Sequence, residues 1–251
     1  MQGIPPMGCD IHMFCEVRKG GKWEKVGEVF KDPYYHPDKP EDEWNIKFTD
    51  SPYLMRNYDL FAILADVRNG HGFAGIRTGD RFNAIANPRG LPDDVSEKVK
   101  EESDHWGVDG HSRSFFTVAE LLAYDWNQQT GHSGVVNLQG YLEWHLKGRA
   151  EEWCGAISGP DIRMVTNKEM DAIANTLDMT KLKPSVPLLP EDKAMYVLKS
   201  GTPLGYIPYT GVSWYESYTE SVGEFFFKET IPALQALGNP EDVRIVFWFD
   251  N

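Results

Sequence analysis

The sequence predicts an α+β fold: a mostly antiparallel sheet packed by several amphipathic helices. Three observations carry this. Cys9 to Arg18 alternates with period two, placing Asp10, His12, Phe14 and Glu16 on one face and Ile11, Met13, Cys15 and Val17 on the other, as a strand does. Thr117-Val-Ala-Glu120, Thr166-Asn-Lys-Glu169 and Ser217-Tyr-Thr-Glu220 are capping boxes, each set before apolar residues at helical spacing. The closing stretch, Asp242 to Asn251, is almost apolar on both faces between its polar ends, as befits a central strand covered on both sides.

Taken in order, Lys19-Gly20-Gly21-Lys22 supplies the turn of a hairpin, because glycine accepts the positive φ that tight turns require. Trp23 to Phe30 returns as the second strand, and the polar face of the first is expected to be wetted. Residues 31–52 hold prolines at 33, 37, 40 and 52 and read as a long irregular loop. Arg56 to Asn69 reads as a helix, with Leu60, Phe61, Leu64 and Val67 on one stripe. Gly70-His71-Gly72 and the residues to Gly75 read as a flexible connection.

Pro92, Asp93 and Asp94 suit the start of a helix over Val95 to about Trp106, since proline and acidic groups favour a first turn. Helices then follow from Thr117, around Leu138 and Leu142 despite Gly140, and from Thr166. Residues 127–134 read as a polar loop, and residues 180–190, with three prolines, as a connector. Ala194 to Leu198 and Tyr206 to Tyr218 read as strands. A last helix from Ser217 towards Leu237 must break or kink at Pro232. One globular domain over residues 1–251 is expected.

Composition narrows the function classes. The chain has 25 basic and 38 acidic residues, a net charge of −13, so a duplex phosphate backbone would be repelled and nucleic acid is disfavoured as a partner. A few local arginines can still hold a small anion. No apolar run approaches the about 18 residues that span a bilayer. Residues Met1 to Met7 lack the basic and apolar regions of a signal peptide, and Met7 serves as well as Met1 as a start. Cys9, Cys15 and Cys154 are an odd number without zinc-type spacing. Free thiols in a reducing cytoplasm account for them.

Two dense polar clusters are the candidate sites: Asp10 with His12, and Asp109-Gly-His111-Ser112-Arg113-Ser114. If Asp10, His12, Asp109 and His111 meet, their oxygens and imidazole nitrogens suit a divalent zinc or manganese ion, which would activate water for phosphoester attack. Arg56, Arg68, Arg89 and Arg113, with Ser112, are candidates to hold phosphate oxygens, and Tyr58, Trp106 or Phe115 to stack on a base. The competing reading has the arginines neutralising nearby acids and the aromatics in the core.

Met7-Gly-Cys-Asp-Ile-His12, Arg56-Asn-Tyr-Asp-Leu-Phe61, Asp66-Val-Arg-Asn69, Pro88-Arg-Gly-Leu-Pro-Asp-Asp-Val-Ser96, Asp109-Gly-His-Ser112 and Val243-Arg-Ile-Val-Phe-Trp-Phe-Asp-Asn251 together resemble a family of uncharacterised bacteriophage and prophage proteins. The resemblance covers nearly the whole chain. It implies a phage-type accessory role in the host cytoplasm, such as countering a nucleotide signal of host defence, and it assigns no catalytic residues. Asp10-Ile-His12, with Gly79-Asp80, also resembles motifs of calcineurin-like metallophosphoesterases. There the Asp-x-His follows its strand, whereas here it begins one, and no Gly-Asn-His is present, so that family is set aside.

The expected function is binding of a small phosphorylated, nucleotide-like ligand in a pocket lined by Asp10, His12, Arg56, Asp109, His111 and Ser112. Metal-assisted hydrolysis of such a ligand is one alternative. Inhibition of a host enzyme through a protein interface is the other.

Overall fold

The computed structural model describes residues 8–40, 42, 44–72, 75, 77, 78, 80–182 and 190–250. Met7, residues 73 and 74, Gly79, Asn251 and most of the 180–190 connector lie outside them. The fold is α+β. Its described residues cluster into two compact units, one from residues 1–75, 81–130 and 217–251, the other from 76–80 and 131–216.

The first unit is built on a four-stranded antiparallel sheet. Strand β1 (Asp10–Lys19) turns through Gly20 and Gly21, both at positive φ, into β2 (Lys22–Val26). That strand ends before Phe30 because Glu28 sits at φ 62, which a strand cannot accommodate. The closing strand β7 (Val243–Asp250) lies between β1 and β3 (His111–Thr117). Its central place explains why all but its last residue are buried.

One face of this sheet carries the large core. Ile11, Met13, Cys15, Phe116, Ile245, Phe247 and Phe249 pack there against helix α1 (Tyr58–Ala65) and the later helices of the unit. Those are α3 (Val118–Ala123), α6 (Tyr218–Val222) and α7 (Ile231–Gln235). A π-helical stretch, Phe226–Thr230, leads into α7, so Pro232 falls in a first turn, where its missing N–H costs nothing. The expected break at Pro232 is therefore a change of helix type just before it.

The opposite face was expected to be wetted, and it is covered instead. Helix α2 (Glu97–Trp106) lays Val99 and Trp106 over Phe14, Val246 and Trp248, making a second small core. Glu16 and Arg244, paired across β1 and β7, are buried beneath that cover.

Helix α1 is shorter than the apolar stripe implies. Asn57 caps its start, its side chain accepting from Leu60 N, and Asp66 ends it in the left-handed conformation. Val67 to Asn69 thus lie in a turn after the helix.

The second unit holds β4 (Gln129–Asn137), β5 (Ile162–Met164) and β6 (Ile207–Ser217) in the order β4-β6-β5, with β5 and β6 parallel. Helices α4 (Leu138–Lys147) and α5 (Asn167–Thr176) bring Leu138, Tyr141, Met170 and Ile173 onto Tyr196, Tyr209, Val212 and Trp214. Residues 127–134, expected as a loop, run into β4. Ala194 to Leu198, expected as a strand, is a 3-10 turn over Pro190–Met195 followed by isolated bridges from Val197 and Leu198.

Candidate functional site

The site of greatest interest lies in the first unit, where Asp10 begins β1, His111 begins β3 and Asp250 ends β7. A cleft of about 490 Å³ opens there, lined by Asp66, Val67, Arg68, Asn69, His71, Gly75, Arg81 and His111.

Asn69 builds one wall. Its side-chain amide donates to Asp66 Oδ1 at 2.7 Å and to Phe82 O at 2.8 Å, and its carbonyl oxygen accepts from Phe82 N at 2.9 Å. One polar side chain so clips the turn after α1 to residues 80–83. Phe82, buried against Tyr218 with ring centroids 4.9 Å apart, anchors that segment. Thr130 Oγ1 holds Arg81 on both sides, accepting from its N–H at 2.9 Å and donating to its carbonyl at 2.7 Å. The Arg81 backbone is therefore fixed while its side chain stays exposed at the cleft. His71 Nδ1 lies 3.0 Å from Asn69 O, which orients that ring.

Arg68 forms the opposite wall. It sits at φ 59, packs over the Tyr58 ring at 5.6 Å and donates from Nη2 to Gly8 O at 2.8 Å. Arg56 meets the same strand end. Both its Nε and Nη2 donate to the Asp10 carboxylate, at 2.8 and 2.6 Å. Its terminal nitrogens would lie 3.3 Å from a Cβ at Gly8, so a larger residue there would push the guanidinium aside by a few tenths of an ångström. This hydrogen-bonded pairing raises the Arg56 pKa. The pair is half exposed and contributes little stability.

His111 completes the cleft. Its register partner is Phe249, whose partner on β1 is Ile11, so all three share the large-core face. Ser112 beside it takes φ 51 within the bulge between His111 and Ser114, and its hydroxyl is 3.0 Å from His111 Nδ1. Burial lowers the His111 pKa, and Arg68 and Arg113 push in the same direction against Asp250. Burial also raises the nearby Cys9 thiol to about 11, so it is protonated at neutral pH. Asp66, Arg68 and Ser112 are three of the four described non-glycine residues at positive φ. Each conformation costs on the order of 1 kcal/mol, and such strain gathers at functional sites.

The expected four-residue metal shell is not brought together. His12 pairs in register with Trp248 and lies on the α2 face, opposite His111. Its ring packs on Trp106 at 4.0 Å, and its Nε2 reaches only Asp250, at 3.5 Å. Both Asp10 oxygens are taken by Arg56, and Asp109 is exposed on the turn after α2. Among the described residues no group of three or more His, Cys, Asp or Glu side chains is placed to hold a metal.

The candidate ligand residues divide. Arg56, Tyr58, Arg68 and Ser112 gather around Gly8 and the cleft. Arg113 instead caps the end of α2, donating to Ser103 Oγ and to the carbonyls of Ser103, Gly107 and Gly110. Arg89 pairs with Glu120 at 2.8 Å and lies over the Phe116 ring. Trp106 and Phe115 belong to the small core. His71, Asn69 and Arg81 were not singled out from the sequence. Comparison of the chain with protein-family models, curated proteins and solved structures finds no match.

Proposed function

We propose that the cleft binds a small phosphorylated, nucleotide-like anion. The observation that supports this reading is the convergence of two guanidiniums, Arg68 and Arg81, and two imidazoles, His71 and His111, on one cleft of a chain with net charge −13. Guanidinium forks match phosphate oxygens two at a time, and an imidazole adds a donor that strengthens when protonated. Asp66 is the one carboxylate among the described lining residues, so the local balance favours an anion. The described lining has no Phe, Tyr or Trp side chain, so the phosphate, not a base, is the part recognised. In the phage setting implied by the resemblance, the ligand would be a host signalling nucleotide, held rather than turned over.

Calorimetric titration with inorganic phosphate and with adenosine monophosphate tests this. Arg81→Ala, which removes an exposed side chain and leaves its backbone clips in place, is expected to weaken binding about tenfold or more. Arg18→Ala, which breaks the surface pair with Asp242, should leave affinity unchanged. Equal affinities for all three proteins would remove the cleft from consideration. A titration that responds only after zinc or manganese is added would favour the hydrolase reading.

A further inference from the structure

The loop between β2 and α1 is ordered by its own buried polar side chains. The Asp32 carboxylate accepts from Tyr34 N and Phe48 N, both at 2.8 Å. Asn45 Oδ1 accepts from His36 N at 3.0 Å, and Asn45 Nδ2 donates to the carbonyls of His36, Lys39 and Pro40. Asp32 and Asn45 are 8% and 5% exposed, so a polar knot replaces the apolar centre a loop of this length would otherwise need. Phe30 and Tyr53 anchor the loop's two ends in the large core, while five other apolar side chains face outward. Val29, Tyr34, Trp44, Ile46 and Phe48 are all more than half exposed, with Trp44 at 86%.

Beside this surface lies a second cleft, of about 550 Å³, lined by Lys25, Gly27, Glu28, Lys47, Phe48, Thr49, Asp50 and Lys98. Lys25 is paired with Asp50 at 2.9 Å. Lys47 rests over the Tyr35 ring, and neither it nor Lys98 has a carboxylate partner among the described residues. Asp38, on the same loop, is exposed and likewise unpaired among them.

We propose that this loop and its lysine-lined cleft form a two-fold interface between two copies of the chain. In a two-fold dimer each residue i that meets j is answered by j meeting i, so the patch must complement itself. A patch that presents Lys47, Lys98 and Asp38, none paired with an opposite charge among the described residues, around exposed aromatics meets that condition: Asp38 of each copy faces Lys47 and Lys98 of the other. The aromatics supply the contact centre, and the prior ordering of the loop spares the entropy of fixing it on association. The proposal is independent of the phosphate reading, because its residues line a different cleft.

Sedimentation velocity from about 1 to about 100 μM, where modest homodimers form, is the test. The wild-type chain is expected to shift from monomer to dimer across this range. Trp44→Ser and Lys47→Glu should each stay monomeric, with circular dichroism unchanged because both side chains are exposed. Mixing Lys47→Glu with Asp38→Lys should restore a dimer between unlike copies. A wild-type chain monomeric throughout would overturn the proposal, whether or not it sediments with vesicles of anionic lipid. So would a dimer that survives Trp44→Ser and Lys47→Glu.

Discussion

Arg244→Met is expected to destabilise the protein by about 3 to 5 kcal/mol, the cost of leaving a buried charge without its partner. Glu16 is wholly buried, and its Oε2 accepts from Arg244 Nε at 2.7 Å. Its other oxygen accepts from Ser96 N at 2.7 Å, which ties the start of α2 to the sheet. Arg244 also donates to Asp94 Oδ1 at 2.7 Å and to Asp94 O at 3.2 Å, and its guanidinium lies 4.0 Å from the Trp23 ring centre. Removing it strands Glu16 and frees the segment before α2 together. The double change Glu16→Leu with Arg244→Met should lose less than the single one, because no charge is left stranded. Chemical denaturation of Glu16→Leu, Arg244→Met and the double variant checks this, and an additive double mutant would contradict it. The Asp94 carboxyl, held below its usual range first by its Arg244 hydrogen bond, contributes stability above its unfolded pKa that is lost as pH falls through the lowered value.

His132→Leu is expected to have an effect of similar size in the second unit, lowering Tm by on the order of 10 °C. His132, 4% exposed, lies with Nδ1 3.7 Å from Asp80 Oδ2 and Nε2 3.6 Å from Glu216 Oε2. Its ring stacks on Trp214 at 5.6 Å, and Trp214 in turn donates to Glu216 Oε1 at 2.8 Å. Thr78 donates its hydroxyl to the other Asp80 oxygen. Leucine matches the ring's bulk and leaves two carboxylates facing an apolar side chain. Adding Asp80→Asn should recover part of the loss by removing the more deeply buried of the two charges. Thermal denaturation followed by circular dichroism reads both steps. A His132→Leu protein that melts with the wild type would show that the imidazole does not hold the cluster together.

The first hairpin, the closing strand and the capping boxes were legible because each rests on local periodicity or on a contact between residues three apart. Strands β3 and β4 were hidden. His111-Ser-Arg-Ser114 and Gln129-Thr-Gly-His-Ser133 lack alternating apolar residues, and they are strands because β7 and β6 stand beside them. The cover over His12 and Glu16 was hidden too, since their alternation marks two faces but not whether solvent or α2 meets each.

Of the arginines singled out in the sequence, Arg56 pairs with Asp10 and Arg68 lines the cleft. Arg89 and Arg113 look the same in sequence. What separates them from Arg68 is position: Arg113 is folded onto the end of α2 and Arg89 onto Glu120, whereas Arg68 lines the cleft. Arg81 and His71 join the cleft through the Asn69 clip, a side-chain contact across thirteen positions that no local pattern encodes.

The central claim, that the cleft at the end of the first sheet holds a phosphorylated anion, is tested most directly on the His111 ring. Its pKa should be followed by NMR with and without saturating inorganic phosphate. In the free protein, burial keeps it below the usual histidine value, so the ring is neutral at pH 7 and its charging opposes folding as pH falls below that value. A phosphate beside His111 and Arg68 favours the imidazolium, so the account predicts an upward shift that takes about tenfold more phosphate to develop in Arg81→Ala. An unchanged His111 titration, at phosphate concentrations that saturate any calorimetric signal, would contradict it.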